Sequence, residues 1–207
     1  MKVFYSPASP YVRKVLAVGI ELGLGDRIEK LASAANPINP DATIVAHNPT
    51  GKVPTFFTDS DYALYDSRVI CEYLDDLAGG NRMFPAKGEA KWEALRDQAL
   101  ADGLLDAALL ARYEQVVRPA EQKWQPWLDG QMAKITSCVD VLEGQVGKMT
   151  GRVDIGTISA GCALGYLDFR FPDFGWRNGR AALAAWFKQF SDRPSMRDTV
   201  PFDAPAK

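Results

Sequence analysis

Histidine is almost missing from this chain: His47 is the only one among 207 residues. A Ser-His-Asp hydrolase would have to bring that single imidazole beside a serine, a geometry that spacing alone does not fix. Cysteine is scarce as well. Cys71, Cys138 and Cys162 are odd in number, far apart and without a C-x-x-C pair, which argues against a disulfide framework and against a zinc site. All three read as core residues of a protein in a reducing compartment, and no metal is called for. No apolar run approaches the ~20 residues of a membrane span, and the first residues lack the basic, apolar and small-residue zones of a secretory signal. The expected location is therefore cytoplasmic, with no membrane partner. Charge of one sign is not in excess either. With 24 basic and 26 acidic residues and a net charge of −2, the chain offers no electrostatic case for nucleic acid.

What the chain does contain is a change of texture. From Lys2 to about Leu77 short strand-like runs alternate with helical ones: KVFY, a helix over Pro10–Leu22, RIEKL, a loop rich in Asn and Pro, VPTFF, a turn at Asp59–Asp61, YALY, and a helix over Ser67–Leu77. The order β-α-β-α-β-β-α predicts a small mixed sheet with helices packed on it. Ala78–Gly88 carries the Gly and Pro punctuation of a linker. Beyond it apolar residues recur at helical spacing over 89–118, 128–147, 155–170 and 180–191, Pro119 and Pro126 mark breaks, and strand signals stop. The predicted organisation is an α/β domain over 1–78, a linker over 79–87 and an all-helical domain over 88–207.

Three short stretches carry chemistry. The opening S-P-A-S-P-Y-V-R-K holds two Ser-Pro pairs. Ser6-Pro7 ends the first strand, whereas Ser9 stands where an N-cap stands and Pro10 takes the first helical position, where a missing N–H is harmless. The loop N-P-T-G-K-V-P, Asn48 to Pro54, leads into a strand with proline inside it, which is tolerated at an edge or bulge. A cis Val53–Pro54 bond would turn the backbone of Val53 outward with N–H and C=O unpaired, an edge on which a peptide can pair. Next, Y-D-S-R places Asp66 and Ser67 at a helix start, where free N–H groups and the helix dipole favour a carboxylate. Read alone, that pair is better explained as a helix cap, and its position downstream of a strand proline is what turns it toward a ligand. A ligand served by all three features has a carboxylate and an ammonium at one end, a peptide backbone in the middle, and a reactive group near Ser9.

S-P-Y-x-R-K at 9–14, N-P-x-G-K-V-P at 48–54, D-S at 66–67 and the tail R-P-S-M-R-D-T-V-P at 193–201 together resemble the cytosolic glutathione S-transferases of the bacterial, serine-type kind. The resemblance implies a thioredoxin-like α/β N-terminal domain, an all-α helical bundle C-terminal domain, and a homodimer. It also implies glutathione as co-substrate and a small electrophile as the second substrate. By position, Ser9 would hydrogen-bond the glutathione sulfur, Val53 with Pro54 would present the edge for its cysteinyl backbone, Asp66 and Ser67 would hold the γ-glutamyl end, and Lys52 would meet a carboxylate. Arg112 and Tyr113, in ADGLLDAALLARYE, come from the helix that contributes to the electrophile pocket in that family. Relatives with reductase activity carry cysteine where Ser9 stands, and some relatives keep the fold as binding proteins without turnover.

Serine is too weak an acid to act as a nucleophile without a base, so the opposite polarity suits Ser9 better: its hydroxyl donates to a thiolate at the amino end of its own helix. Lowering a thiol of pKa about 8.5 by ~2 units takes about 2.7 kcal/mol. One charge-assisted hydrogen bond of about 1.5–3 kcal/mol with a dipole contribution of about 0.3–1 kcal/mol suffices. Arg13 and Lys14 read as a solvated helix face, and Trp124, Trp127, Trp176 and Trp186 as core. One departure from the family pattern is D-I-G-T at 154–157, where Asp and Thr are exchanged. It keeps an N-cap at Asp154 but predicts a weaker reciprocal bond.

Overall fold

The computed structural model describes residues 1–33 and 35–204, so the last three residues of the expected helical domain lie outside the described residues. Two compact units emerge, residues 1–91 together with the segment from Arg193, and residues 92–192. The C-terminal segment thus packs within the first unit, whereas sequence texture groups it with the helices.

In the first unit β1 (Lys2–Tyr5), α1 (Pro10–Glu21), β2 (Glu29–Ala32), α2 (Ala42–Val45), β3 (Phe56–Phe57), β4 (Ala63–Leu64) and α3 (Ser67–Leu77) follow the expected β-α-β-α-β-β-α order. The sheet runs β2-β1-β3-β4. Val3 lies opposite Lys30 in the parallel pair and opposite Phe56 in the antiparallel one, and Phe56 lies opposite Leu64. This small mixed sheet with helices is the thioredoxin-like arrangement. β3 is shorter than VPTFF suggests, because Pro54 has no N–H to give a ladder and pairing begins only beyond it.

α1 buries Val12, Val15, Leu16, Ala17 and Val18. It also buries Arg13 and Lys14, which corrects the reading of those two as a solvated face. For Arg13 the cause is the C-terminal segment: Arg13 Nη2 donates to the Met196 carbonyl at 3.1 Å and Nε to Thr199 Oγ1 at 3.4 Å. A second tie joins the two ends of this unit. Arg193 grips Glu21 with Nε and Nη2 at 2.8 and 2.7 Å, and Ser195 donates its hydroxyl to the same carboxylate. Asp75, almost fully buried, accepts the backbone N–H groups of Arg82, Met83 and Phe84 at 3.1, 2.7 and 3.3 Å, which fixes the chain after α3.

The second unit holds most of α4 (Gly88–Val116), with α5 (Gln125–Gly144), α6 (Val146–Met149), α7 (Ile155–Arg170) and α8 (Ala181–Ser191). The short α9 (Pro194–Arg197) belongs to the first unit. No strand follows β4 among the described residues. α7 is buried along most of its length, and it approaches α4 so closely that a Cβ on Gly156 would lie 2.9 Å from the Ala94 carbonyl oxygen. Its capping box is complete, against the weaker one expected: Thr157 N–H donates to Asp154 Oδ1 and Asp154 N–H to Thr157 Oγ1, both at 3.0 Å. Threonine serves at the third helical position because its hydroxyl accepts as glutamate would. Arg152 then joins Asp154 (2.8 Å) to the buried Asp97 of α4 (3.0 Å). Among the tryptophans, Trp176 and Trp186 are core, but Trp124 and Trp127 are exposed; Cys71 and Cys162 are buried and Cys138 only half so.

The Glu21 pair makes stability depend on pH. Hydrogen bonding from Arg193 is the main influence, burial opposes it, and Ser195 adds to it; the net effect holds the Glu21 carboxyl below its ordinary value of 4.5. A carboxylate with a depressed folded-state pKa contributes stability that is present above the unfolded value and lost as pH falls through the folded one. Thermal unfolding of wild type and Glu21→Gln from pH 7 to 3 should therefore show a gap in Tm that holds above pH 4.5 and narrows below it. A gap independent of pH would remove the ion pair from the acid dependence.

Candidate functional site

The sheet register gathers the three chemical stretches at one end. β1 runs into Ser9, β3 starts beyond Val53 antiparallel to β1, and β4, antiparallel to β3, runs into Asp66 and Ser67. The hydrogen bond from Phe4 N–H to the Thr55 carbonyl, 2.9 Å, ties the second stretch to the first.

Ser9 has extended backbone, φ −80° and ψ 120°, as an N-cap requires. Its Oγ accepts from the Val12 N–H at 3.3 Å. That bond uses one lone pair, and a hydroxyl carries one hydrogen besides, so capping leaves Ser9 free to donate. The half-buried side chain stands at the positive end of a 12-residue helix.

The 48–55 loop is organised by a residue that the motif contains but the reading of site residues passed over. Asn48 is 1% exposed. Its Nδ2 donates to the Lys52 carbonyl (3.2 Å) and Thr55 Oγ1 (2.9 Å), and its Oδ1 accepts from Thr50 N–H (3.0 Å) and Thr50 Oγ1 (2.7 Å). Thr55 closes the ring by donating to the Lys52 carbonyl at 2.9 Å. Gly51, at φ +64°, supplies the left-handed step. The legible signal was N-P-T-G itself, since Asn hydrogen-bonds the backbone two residues on. The Val53–Pro54 bond is cis. The Val53 side chain packs on the Phe4, Ile44 and Phe57 cluster, while among the described residues neither its N–H nor its C=O has a hydrogen-bond partner. Lys52 is exposed beside it.

Asp66 caps α3, accepting from Arg68 N–H at 2.9 Å, and is exposed; Ser67, the first helical residue, is 3% exposed. His47 lies with its ring edge-on to Phe57, 4.9 Å between centroids, and no hydrogen bond joins it to a serine or carboxylate among the described residues. The hydrolase reading loses its base. Among the described residues no group of three or more His, Cys, Asp or Glu could hold a metal ion, and no helix is long and apolar enough to cross a membrane.

Arg112 and Tyr113 belong to the other unit, on α4. There they gather with Tyr166 and Arg170 of α7, which the sequence reading did not single out although the two lie one helical turn apart. Burial pushes the Tyr166 phenol up to about 12, partly countered by the charge of Arg170, and burial raises Tyr113 as well.

Comparison with known proteins now gives these features a context. Residues 8–77 match the glutathione S-transferase N-terminal domain and residues 125–189 the glutathione S-transferase C-terminal domain. An uncharacterized GST-like protein of Escherichia coli K12, YibF, is 35% identical over 97% of this chain and 98% of its own. A glutathione transferase family member from Pseudomonas fluorescens Pf-5, solved with bound glutathione, superposes with a TM-score of 0.94 at 46% identity, covering 97% of this chain and 98% of that one. A second structure of such a family member, with bound S-(propanoic acid)-glutathione, gives 0.90 at 45% identity over 98% and 100% of the two chains. Full-length relatedness and both family domains show that this chain belongs to the glutathione S-transferase family.

Proposed function

We propose that the protein is a glutathione transferase in which Ser9 stabilises the glutathione thiolate for attack on an electrophilic carbon. The observation that carries the reading is the shared end of the sheet. A capping hydroxyl able to donate, a backbone edge without partners at Val53, and a carboxylate with a buried serine at the start of α3 stand there together. Relatives solved with glutathione and with S-(propanoic acid)-glutathione support the ligand.

In this reading Val53 pairs N–H and C=O with the cysteinyl unit next to the cis Pro54, and that pairing sets the depth at which the sulfur meets Ser9. Asp66 takes the γ-glutamyl ammonium, and Ser67 with the free N–H groups of α3 takes its carboxylate. Lys52 meets the glycyl carboxylate. Ser9 then donates its hydroxyl hydrogen to the sulfur, and the helix dipole adds to it, so the sulfur stays ionised at neutral pH. The C–S bond forms as the leaving group departs with its electron pair, or as an activated double bond accepts the pair. Cysteine would open disulfide exchange at position 9; serine cannot form that bond, which sets transfer above reduction.

The protein acts as a homodimer in the same reading. Tyr62 on the rim of the edge strand β4 is 68% exposed, and Tyr65 and Val69 beside it are 39% and 46% exposed, an apolar set suited to a partner. Light scattering at micromolar concentration should return twice the 22.8 kDa of one chain, and a single-chain mass would contradict the dimer.

Kinetic variants separate binding from activation. Ser9→Gly keeps most of the cap and Ser9→Ala loses it, so they should differ in stability by about 1 kcal/mol or less. Both should lower kcat about ten- to a hundredfold at neutral pH, the range set by losing one to two units of thiol acidity. Asp66→Ala should instead raise the KM for glutathione more than it lowers kcat, because the ammonium is remote from the sulfur. Wild-type kcat in Ser9→Gly, or an unchanged KM in Asp66→Ala, would take that residue out of the site.

A further inference from the structure

We propose that Arg13 is a positioning residue for the Ser9 hydroxyl, and that the segment 193–199 is the anchor through which it acts. The inference deepens the transferase reading and rests on it. Ser9 and Arg13 stand one helical turn apart, and the Arg13 N–H donates to the Ser9 carbonyl at 3.0 Å, the first backbone bond of α1. The cap bond from the Val12 N–H to Ser9 Oγ is long, at 3.3 Å. A helix end held by so little frays unless something outside the helix retains it. Fraying would carry the hydroxyl away from the sulfur and misalign the N–H groups whose dipole assists it.

The Arg13 side chain is that retention. It is 6% exposed, and its two bonds reach the Met196 carbonyl at 3.1 Å and Thr199 Oγ1 at 3.4 Å. Thr199 itself donates to the Ser195 carbonyl at 2.6 Å, so both acceptors belong to one closed turn. The same stretch grips the last residue of α1, where Arg193 and Ser195 hold Glu21. One short segment thus splints α1 at both ends. Stability alone is a poor reason for a guanidinium here. Its partners among the described residues are a carbonyl and a hydroxyl rather than a carboxylate, and Nη1 is buried with no hydrogen-bond partner. A buried donor left unsatisfied costs more than an apolar side chain of similar volume in the same place. What the guanidinium adds is a directional tie between the first turn and a fixed carbonyl. The other charges around α1 are held or exposed. Asp75 of α3 accepts the N–H groups of 82–84, Glu21 is held by Arg193, and Lys14 is buried beside the Tyr11 ring, 5.7 Å from its centroid. The remaining charged residues of α3, of 25–27 and of 197–198 are exposed.

Amide hydrogen exchange of the full chain reads the anchor without any ligand. Arg13→Met should speed exchange of the first-turn donors, the N–H groups of residues 12 and 13, about tenfold, whereas Glu21→Gln, which loosens the other end of α1, should leave them as in wild type. With glutathione bound, Arg13→Met should raise the thiolate midpoint by about half to one unit, a roughly three- to tenfold loss of thiolate at neutral pH. Affinity for S-methylglutathione, which has no thiol, should change by less than about twofold, because Val53 and Asp66 stand outside α1. Arg13→Lys keeps the charge without the fork and should restore part of both readouts; it carries the test if Arg13→Met does not fold. Unchanged first-turn exchange in Arg13→Met overturns the proposal. So does a midpoint that Ser9→Gly moves and Arg13→Met does not, or one that Glu21→Gln moves as far. A midpoint that lysine restores while first-turn exchange stays fast also overturns it, because charge would then act without the anchor. A midpoint that neither Ser9→Gly nor Arg13→Met moves counts against the transferase reading instead, and exchange then decides the anchor by itself.

Discussion

The carboxamide of Asn48 is the constraint on which the end of the sheet that gathers Ser9, Val53 and Asp66 depends. One buried side chain satisfies the Lys52 carbonyl, the Thr55 hydroxyl and the Thr50 amide together. With those groups engaged inside the loop, the Val53 side chain turns toward the Phe4, Ile44 and Phe57 cluster and its backbone is left over. Backbone groups without a partner stabilise nothing in the fold itself. Their value lies in what can pair with them, and the rigidity of the loop means that little ordering is left for a ligand to impose. The same economy holds at Ser9, where capping consumes a lone pair and leaves the proton.

In the helical unit a different device sets the frame. Asp97 is buried in α4 and would be costly there alone, but Arg152 bridges it to Asp154 at the head of α7. The capping box then fixes the first turn of α7, and glycine at 156 lets the helix lie against Ala94. A helix start defined this tightly carries Tyr166 and Arg170 to defined places about three and four turns further on. Polar groups at the head of α7 thereby fix where the residues at its far end stand.

Much of this was legible in the sequence for identifiable reasons. Strong local signals set α3 and α7, whose bounds at Ser67–Leu77 and Ile155–Arg170 coincide with the periodic segments read from sequence. The roles of Ser9 as a cap and of Val53 as an unpaired edge follow from turn and proline chemistry that acts within a few residues. Part of what escaped was non-local. Arg13 looks solvated until a segment more than 180 residues away covers it, as the Arg13–Met196 bond shows. The capping box is local: the Thr157 hydroxyl accepts the Asp154 N–H as glutamate would, so the exchange of Asp and Thr in the family pattern does not weaken it. Tyr166 and Arg170 carried a one-turn spacing, but only the packing of α7 against other elements brings Arg112 to them.

The account stands or falls on whether the Ser9 hydroxyl holds a thiolate. Absorbance of the thiolate in enzyme-bound glutathione, followed against pH in wild type and in Ser9→Gly, reads this without any electrophile. Wild type should ionise the bound thiol with a midpoint well below the free value of about 8.5, and Ser9→Gly should move that midpoint back up by about one to two units with the helix intact. Superimposable titration curves for the two proteins would contradict the account and leave Ser9 as a helix cap.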